Sequence, residues 1–301
     1  MIASLPAVSM TNWAAVLLVG LAALQHAAPS ASIDRVLRDL AGGRRPLERV
    51  RIETECGVDR QLTRAAVFGT GVAIWNDQRQ GAIASGDVRA LLDLFVRESF
   101  AAMPASFGED EGDKVKMTCV VRFADGDVAR TVMQLEPGRQ SAALQRLARA
   151  VLDRARNAAA NVPPVASLDE GLQAIAGGRL AVETLRVTLR SGAAGQGGAA
   201  ASGWVLRLDG RDLEIEPDAG ARVVSRLEAT AVREIARSLS DAAFASLPVN
   251  LATAGYAELS VAILGQEHTV QAQPFTGREP DPVLRDRFTR ATAPLLALRD
   301  R

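Results

Sequence analysis

The chain has 301 residues, 48% of them hydrophobic and 23% charged, enough for two domains with a core in each. Its 35 Lys and Arg balance its 35 Asp and Glu, the two signs are interspersed, and aromatics make up 4%. A neutral chain without a basic stripe, and with few rings for base stacking, argues against a nucleic-acid partner.

The first thirty residues differ from the rest. Trp13 to Leu24 is an uncharged apolar run followed by small residues. Its length suits a secretory signal peptide and falls short of the roughly 20 residues of a membrane span. No Lys or Arg precedes the run, so the usual positive flank is missing. Residues 1–30 are therefore read as a signal peptide cut near Ser30 or Ala31, with an uncleaved anchor and an ordinary helix as the other readings. No Cys directly follows the run, which excludes a lipid-anchored lipoprotein.

Beyond it the chain repeats itself. Leu37 to Gly57 (LRDLAGGRRPLERVRIETECG) and Leu172 to Gly192 (LQAIAGGRLAVETLRVTLRSG) lie 135 positions apart and share eight of twenty-one residues, including Ala-Gly-Gly-Arg. A fixed period marks a tandem architecture. The expected division is a first repeat over 31–157, a linker over 158–166 with two prolines, and a second repeat over 167–301.

Each repeat opens with a short helix. Ser167-Leu-Asp-Glu170 is a capping box, and Gly42-Gly43 and Gly177-Gly178 stop the helices by accepting the left-handed conformation. Glu48 to Cys56 and Glu183 to Ser191 alternate apolar with charged residues, the period of a half-buried antiparallel strand. Further strands are expected over Gln61 to Phe68, Gly71 to Trp75 and Gly81 to Ala84. In the second repeat Gly203 to Leu208 and Arg211 to Glu216 flank Asp209-Gly210, a turn expected to need positive φ at both residues. The loop Ser191 to Gly203 carries no core-forming residues.

A helix with an apolar face at Val88, Leu91, Leu92, Phe95 and Val96 has its counterpart at Val232, Ile235, Ala236 and Leu239. They end in Phe100-Ala-Ala-Met-Pro104 and Phe244-Ala-Ser-Leu-Pro248, where Pro stops the helix and the apolar residues plug the core. Then come hairpins, Val115 to Phe123 with Val128 to Leu135, and Tyr256 to Leu264 with His268 to Phe275. Closing helices run over Ala142 to Arg156 and Pro282 to Arg301. The fold class is α+β: two tandem homologous units, each an antiparallel sheet of about five or six strands with amphipathic helices on one face.

Chemistry is sparse. His268, the one histidine beyond the signal, sits on a predicted strand and reads as a surface residue in preference to a general base. Cys56 and Cys119 are too few for a zinc site. In an exported chain they read as a disulfide closing a loop of about 60 residues, contributing roughly 3–4 kcal/mol; two buried free thiols are the other reading. The acidic loop Gly108 to Asp113 lacks EF-hand spacing and reads as a solvated loop. No phosphate-binding, GxSxG or HExxH motif occurs. No catalytic, cofactor-binding or metal residue is assigned, and no cofactor is expected.

The order of strands, a helix ending in Phe-x-x-Leu-Pro, a hairpin and a last helix resembles emfourin-type small bacterial inhibitors of thermolysin-like metalloproteases and related exported domains. The likeness rests on Val232 to Pro248, the hairpin around Val261 to Val270 and their first-repeat equivalents. It implies a non-catalytic exported module that holds another protein. The early Gly-Gly-Phe turn of the inhibitors is not found after Cys56 or Ser191, and no functional residue is carried over. The expectation is a periplasmic or secreted binding module, inhibitor-like in its sharper form, with no nucleic acid and no stable membrane span after cleavage. The alternatives are a hydrolase with a carboxylate/arginine site between the two units and a structural envelope protein.

Overall fold

The computed structural model describes residues 30–58, 61–108, 119–135, 141–192, 203–217, 220–253, 255–274 and 281–300. The apolar run Trp13 to Leu24, the acidic residues beyond Gly108, Val115 and Met117, and the stretch 193–202 of the glycine-rich loop lie outside the described residues. Among the described residues no helix is long and apolar enough to cross a membrane.

The α+β architecture holds as two seven-stranded sheets. In the first repeat, helix α1 (Ser30–Ala41) precedes β1 (Val50–Val58), β2 (Gln61–Phe68), β3 (Val72–Trp75) and β4 (Arg79–Ala82). Helix α2 (Ser85–Arg97), the two-residue β5 (Ser106–Phe107), β6 (Cys119–Asp125), β7 (Val128–Gln134) and α3 (Ala142–Ala159) follow. The strand order is β4-β3-β2-β1-β6-β7-β5. The second repeat runs α4 (Leu168–Ala176), β8 (Leu185–Gly192), β9 (Trp204–Asp209), β10 (Asp212–Pro217), β11 (Val223–Arg226), α5 (Ala229–Asp241), β12 (Asn250–Ala252), β13 (Tyr256–Ile263), β14 (Gln266–Gln273) and α6 (Pro282–Arg299). Its order, β11-β10-β9-β8-β13-β14-β12, matches the first sheet strand for strand.

Three expectations need correction. The sheets are mixed, because β5 and β12 pair in parallel with β7 and β14 at one edge, and these strands with β11 raise the expected five or six to seven. Helix α3 runs on to Ala159, into the expected linker. The turn between β9 and β10 consists of Gly210 and Arg211, since Asp209 pairs with Asp212. Only its first residue, Gly210 (φ 61°), is left-handed, as a turn with Gly at its first central position requires.

Period two decides which face is buried. Val50, Ile52 and Thr54 of β1 and Val121, Phe123 and Asp125 of β6 are buried. They pair across the register Val50↔Asp125, Ile52↔Phe123, Thr54↔Val121, so they share one face. Leu185, Val187 and Leu189 pair likewise with Ile263, Val261 and Leu259, all at 1% exposure or less. The apolar sides of the helices cover this face: Ile33, Leu37 and Leu40 of α1, Leu91, Leu92 and Phe95 of α2, and Ile235 and Leu239 of α5 are buried.

The Ala-Gly-Gly-Arg copies are helix stops. Gly43 and Gly178 take φ of 76° and 75°, and the residues after them, Arg44 and Arg179, donate backbone N–H groups to the carbonyls of Asp39 and Ala174, both at 2.8 Å. This is the paired closure of a glycine-ended helix. Arg89 Nη1 donates to the Leu40 carbonyl at 3.0 Å, adding a cation at the negative end of α1. At the start of α4, Ser167 accepts the Glu170 N–H as the capping box requires, while the Glu170 carboxylate takes the N–H of Ala166.

The Phe-x-x-Φ-Pro turns also agree. Ser99 and Ala243 are left-handed (φ 55° and 48°), and Phe100, Met103, Phe244 and Leu247 are buried. After the first of them, Arg146 of α3 grips the Glu98 carboxylate through two bonds of 2.8 and 2.7 Å. Those hydrogen bonds hold the Glu98 carboxyl below its ordinary value; burial opposes them and the Arg146 charge adds to them. A depressed carboxyl contributes stability above the unfolded value, and that contribution disappears as pH falls through the folded value. Arg146→Met is therefore expected to lower the denaturation midpoint at neutral pH, and the gap to the parent to close on acidification. A gap independent of pH would sink the assignment.

Candidate functional site

The repeat separates scaffold from what is particular to one copy. His268 shows the separation. The sequence puts it on the surface; it is instead half-buried, because it faces Val261 across β13–β14 and so lies on the helix-covered side. Its Nε2 is 2.8 Å from the Leu247 carbonyl, and its ring meets Phe244 edge-on at 5.3 Å. Arg130 holds the same place in the first sheet, opposite Phe123, and its guanidinium donates to the Phe100 and Met103 carbonyls. Burial pushes the Arg130 guanidinium down from its ordinary value. Two different side chains thus fasten the same turn, which gives His268 a scaffold role.

Cys56 and Cys119 form the disulfide, paired opposite each other on β1 and β6. Ser191 and Ala257 stand at the corresponding register in the second sheet, so the bond is a first-repeat device. Among the described residues no group of His, Cys, Asp and Glu side chains could hold a metal ion.

Two further features of the second repeat are the face of its sheet away from the helices and the outer edge of that sheet. The open face carries cross-strand ion pairs. Glu214 takes Arg222 at 2.7 Å and Arg207 at 3.3 Å, and Arg207 also reaches Glu216 at 2.8 Å. That hydrogen bond and the Arg207 charge hold the Glu216 carboxyl below its ordinary value. Arg226 meets Asp212 at 3.0 Å and Arg190 meets Glu258 at 3.4 Å. On β14, Glu267 accepts from Ser260 Oγ, itself bonded to Thr269 Oγ1. Desolvation raises the Glu267 carboxyl although the residue as a whole is exposed, and the Ser260 bond opposes the rise.

The edge itself is β11. All four of its residues are exposed, Val223 at 53% and Val224 at 58%. Strand edges invite pairing with another chain, and proteins blunt them with short strands, Pro, Lys or a covering element. The other edges of the two sheets show such devices. β5 and β12 are two and three residues long, and at Gly81 of β4 a Cβ would lie 2.1 Å from the Ala158 carbonyl oxygen, so the end of α3 lies against that strand. β11, four residues long, carries neither Pro nor Lys; its one charge, Arg226, meets Asp212 of β10 at 3.0 Å, and the strand presents two β-branched side chains.

Sequence reading passed over Val223 and Val224. The available signal was the pair of valines flanked by Arg222 and Arg226, just before the start of α5. Compared with models of known protein families and with curated proteins, the chain matches none.

Proposed function

We propose that the protein is an exported, non-catalytic binding module that engages another protein through the β11 edge. The observation that carries this reading is the exposed Val223–Val224 pair on a terminal strand whose four residues are all exposed, since added strands gain affinity from main-chain hydrogen bonds and specificity from alternate side chains. Export is supported by the apolar run Trp13 to Leu24 and by the disulfide, which suits an oxidising compartment. The resemblance to emfourin-type inhibitors supports protease inhibition as the sharper version.

The test is affinity capture from periplasmic and secreted fractions. The expected result is a retained protein whose retention falls roughly tenfold for Val224→Lys, a charge that protects natural edges. Retention of no protein, a second copy of this chain included, or equal retention by the variant, overturns the reading. A second reading, a different site from the carboxylate/arginine hydrolase expected between the two units, is a hydrolase built on Glu267, whose carboxyl is raised by desolvation beside Ser260. It requires hydrolytic activity that Glu267→Gln removes and Val224→Lys leaves intact.

A further inference from the structure

We propose that the strand received by β11 is the β11 of a second copy, paired antiparallel about a two-fold axis at Ser225. The proposal rests on the reading of β11 as the contact strand and names its occupant.

The backbone sets which groups point outward. β10 and β11 pair as Asp212↔Arg226, Leu213↔Ser225, Glu214↔Val224 and Ile215↔Val223. The Leu227 N–H donates to the Arg211 carbonyl at 2.7 Å, which continues that register by one residue. Hydrogen-bonded pairs alternate in an antiparallel ladder. Leu227, Ser225 and Val223 therefore direct their backbone groups at β10, and Val224 and Arg226 direct theirs out past the edge of the sheet.

A dyad at any of the four β11 residues places outward groups opposite outward groups. One through Val223 pairs Ser225 and Arg226 with Ala221 and Gly220, off the strand, one through Arg226 sets the two Arg226 side chains against each other, and charge decides between the remaining two. A dyad through Val224 sets Arg226 directly against Arg222 of the other copy, and like charges directly opposite are destabilising. A dyad through Ser225 sets Val224 against Arg226 in both directions. Each row across the open face then reads Asp212, Arg226, Val224 and Glu214, with the last two from the second copy. No like charges stand directly opposite each other, and each Arg226 keeps its Asp212 at 3.0 Å. On the opposite face Val223 meets Leu227 of the other copy, an apolar pair. The pairing is isologous, as a closed dimer requires, and it uses the exposed valines on both faces. So short a strand buries less than the roughly 1,000 Å² of a stable interface, so the dimer is weak and forms as concentration rises.

At the dyad the two Ser225 residues occupy a non-hydrogen-bonded position, where facing Cα atoms lie about 4.5 Å apart, within disulfide reach. Ser225→Cys is expected to give a covalent dimer roughly tenfold faster than Val283→Cys, an exposed control on α6, because pairing raises the local thiol concentration. Adding Val224→Lys to Ser225→Cys should remove the advantage, and sedimentation of the unmodified protein should show a concentration-dependent rise in mass. Equal rates at Ser225 and Val283 overturn self-pairing. So does a mass that stays monomeric while capture of a different protein still depends on Val224, a result that keeps the contact strand and changes its occupant. Loss of that capture dependence as well would overturn the underlying reading.

Discussion

Arg45→Leu alone is expected to destabilise the protein by about 3 kcal/mol, and Arg45→Leu combined with Asp125→Ile to return it to within about 1 kcal/mol of the parent or above it. Asp125 ends β6 on the helix-covered face with its side chain 3% exposed, and Arg45 Nη2 sits 2.9 Å from Oδ2. Removing the guanidinium strands a carboxylate where water does not reach, which is the expensive way to break such a pair. The Arg45 side chain is itself 40% exposed, so the figure is set at the lower end of what fully buried pairs show. The second repeat holds the natural control: Leu180 and Ile263 occupy the corresponding positions, and Ile263 is fully buried opposite Leu185. The scaffold therefore exists in an ionic and an apolar form. Asp125→Ile alone should cost less than Arg45→Leu alone, because the remaining guanidinium can turn to solvent. Denaturant melts of the four proteins give the coupling energy; additive single effects would sink the assignment.

What the sequence made legible were local devices. The glycine stops at Gly43 and Gly178, the Phe100 and Phe244 plugs and the alternation of β1, β8, β6 and β13 each depend on a few neighbouring residues whose chemistry admits one conformation. His268 is read as a surface residue although a signal was there, since counting back by twos from the buried Val270 puts it on the helix-covered face. Other features required tertiary context. β5 and β12 are too short to show a period, and only docking beside β7 and β14 makes them strands. The hairpin at Gly210 slipped by one residue because Asp-Gly fits two turn types, and pairing across Asp209↔Asp212 selects the one with Gly first. β11 escaped notice because all four residues are exposed, and an edge strand without a buried face has no hydrophobic pattern to read.

Replacing Cys56 by Ser and Cys119 by Ala is expected to cost about 3–4 kcal/mol of stability and to leave the fold unchanged. These are the residues the second repeat carries at Ser191 and Ala257, where β8 and β13 pair in the same register without a covalent link. The strand pairing thus does not depend on the bond, and the packing around it survives: Thr54 Oγ1 still donates to the Val120 carbonyl at 2.9 Å. The loss falls on the unfolded chain. The bond joins positions 63 residues apart, and without it the segment carrying β2 to β5 and α2 regains its freedom when the protein unfolds. Chain-entropy reasoning then places the effect in the denaturation midpoint, with the far-ultraviolet spectrum of the native state unchanged. Reduction of the parent should reproduce the double substitution. A parent that titrates two thiols when denatured without reductant, or a variant as stable as the parent, would show that the bond does not hold the first sheet.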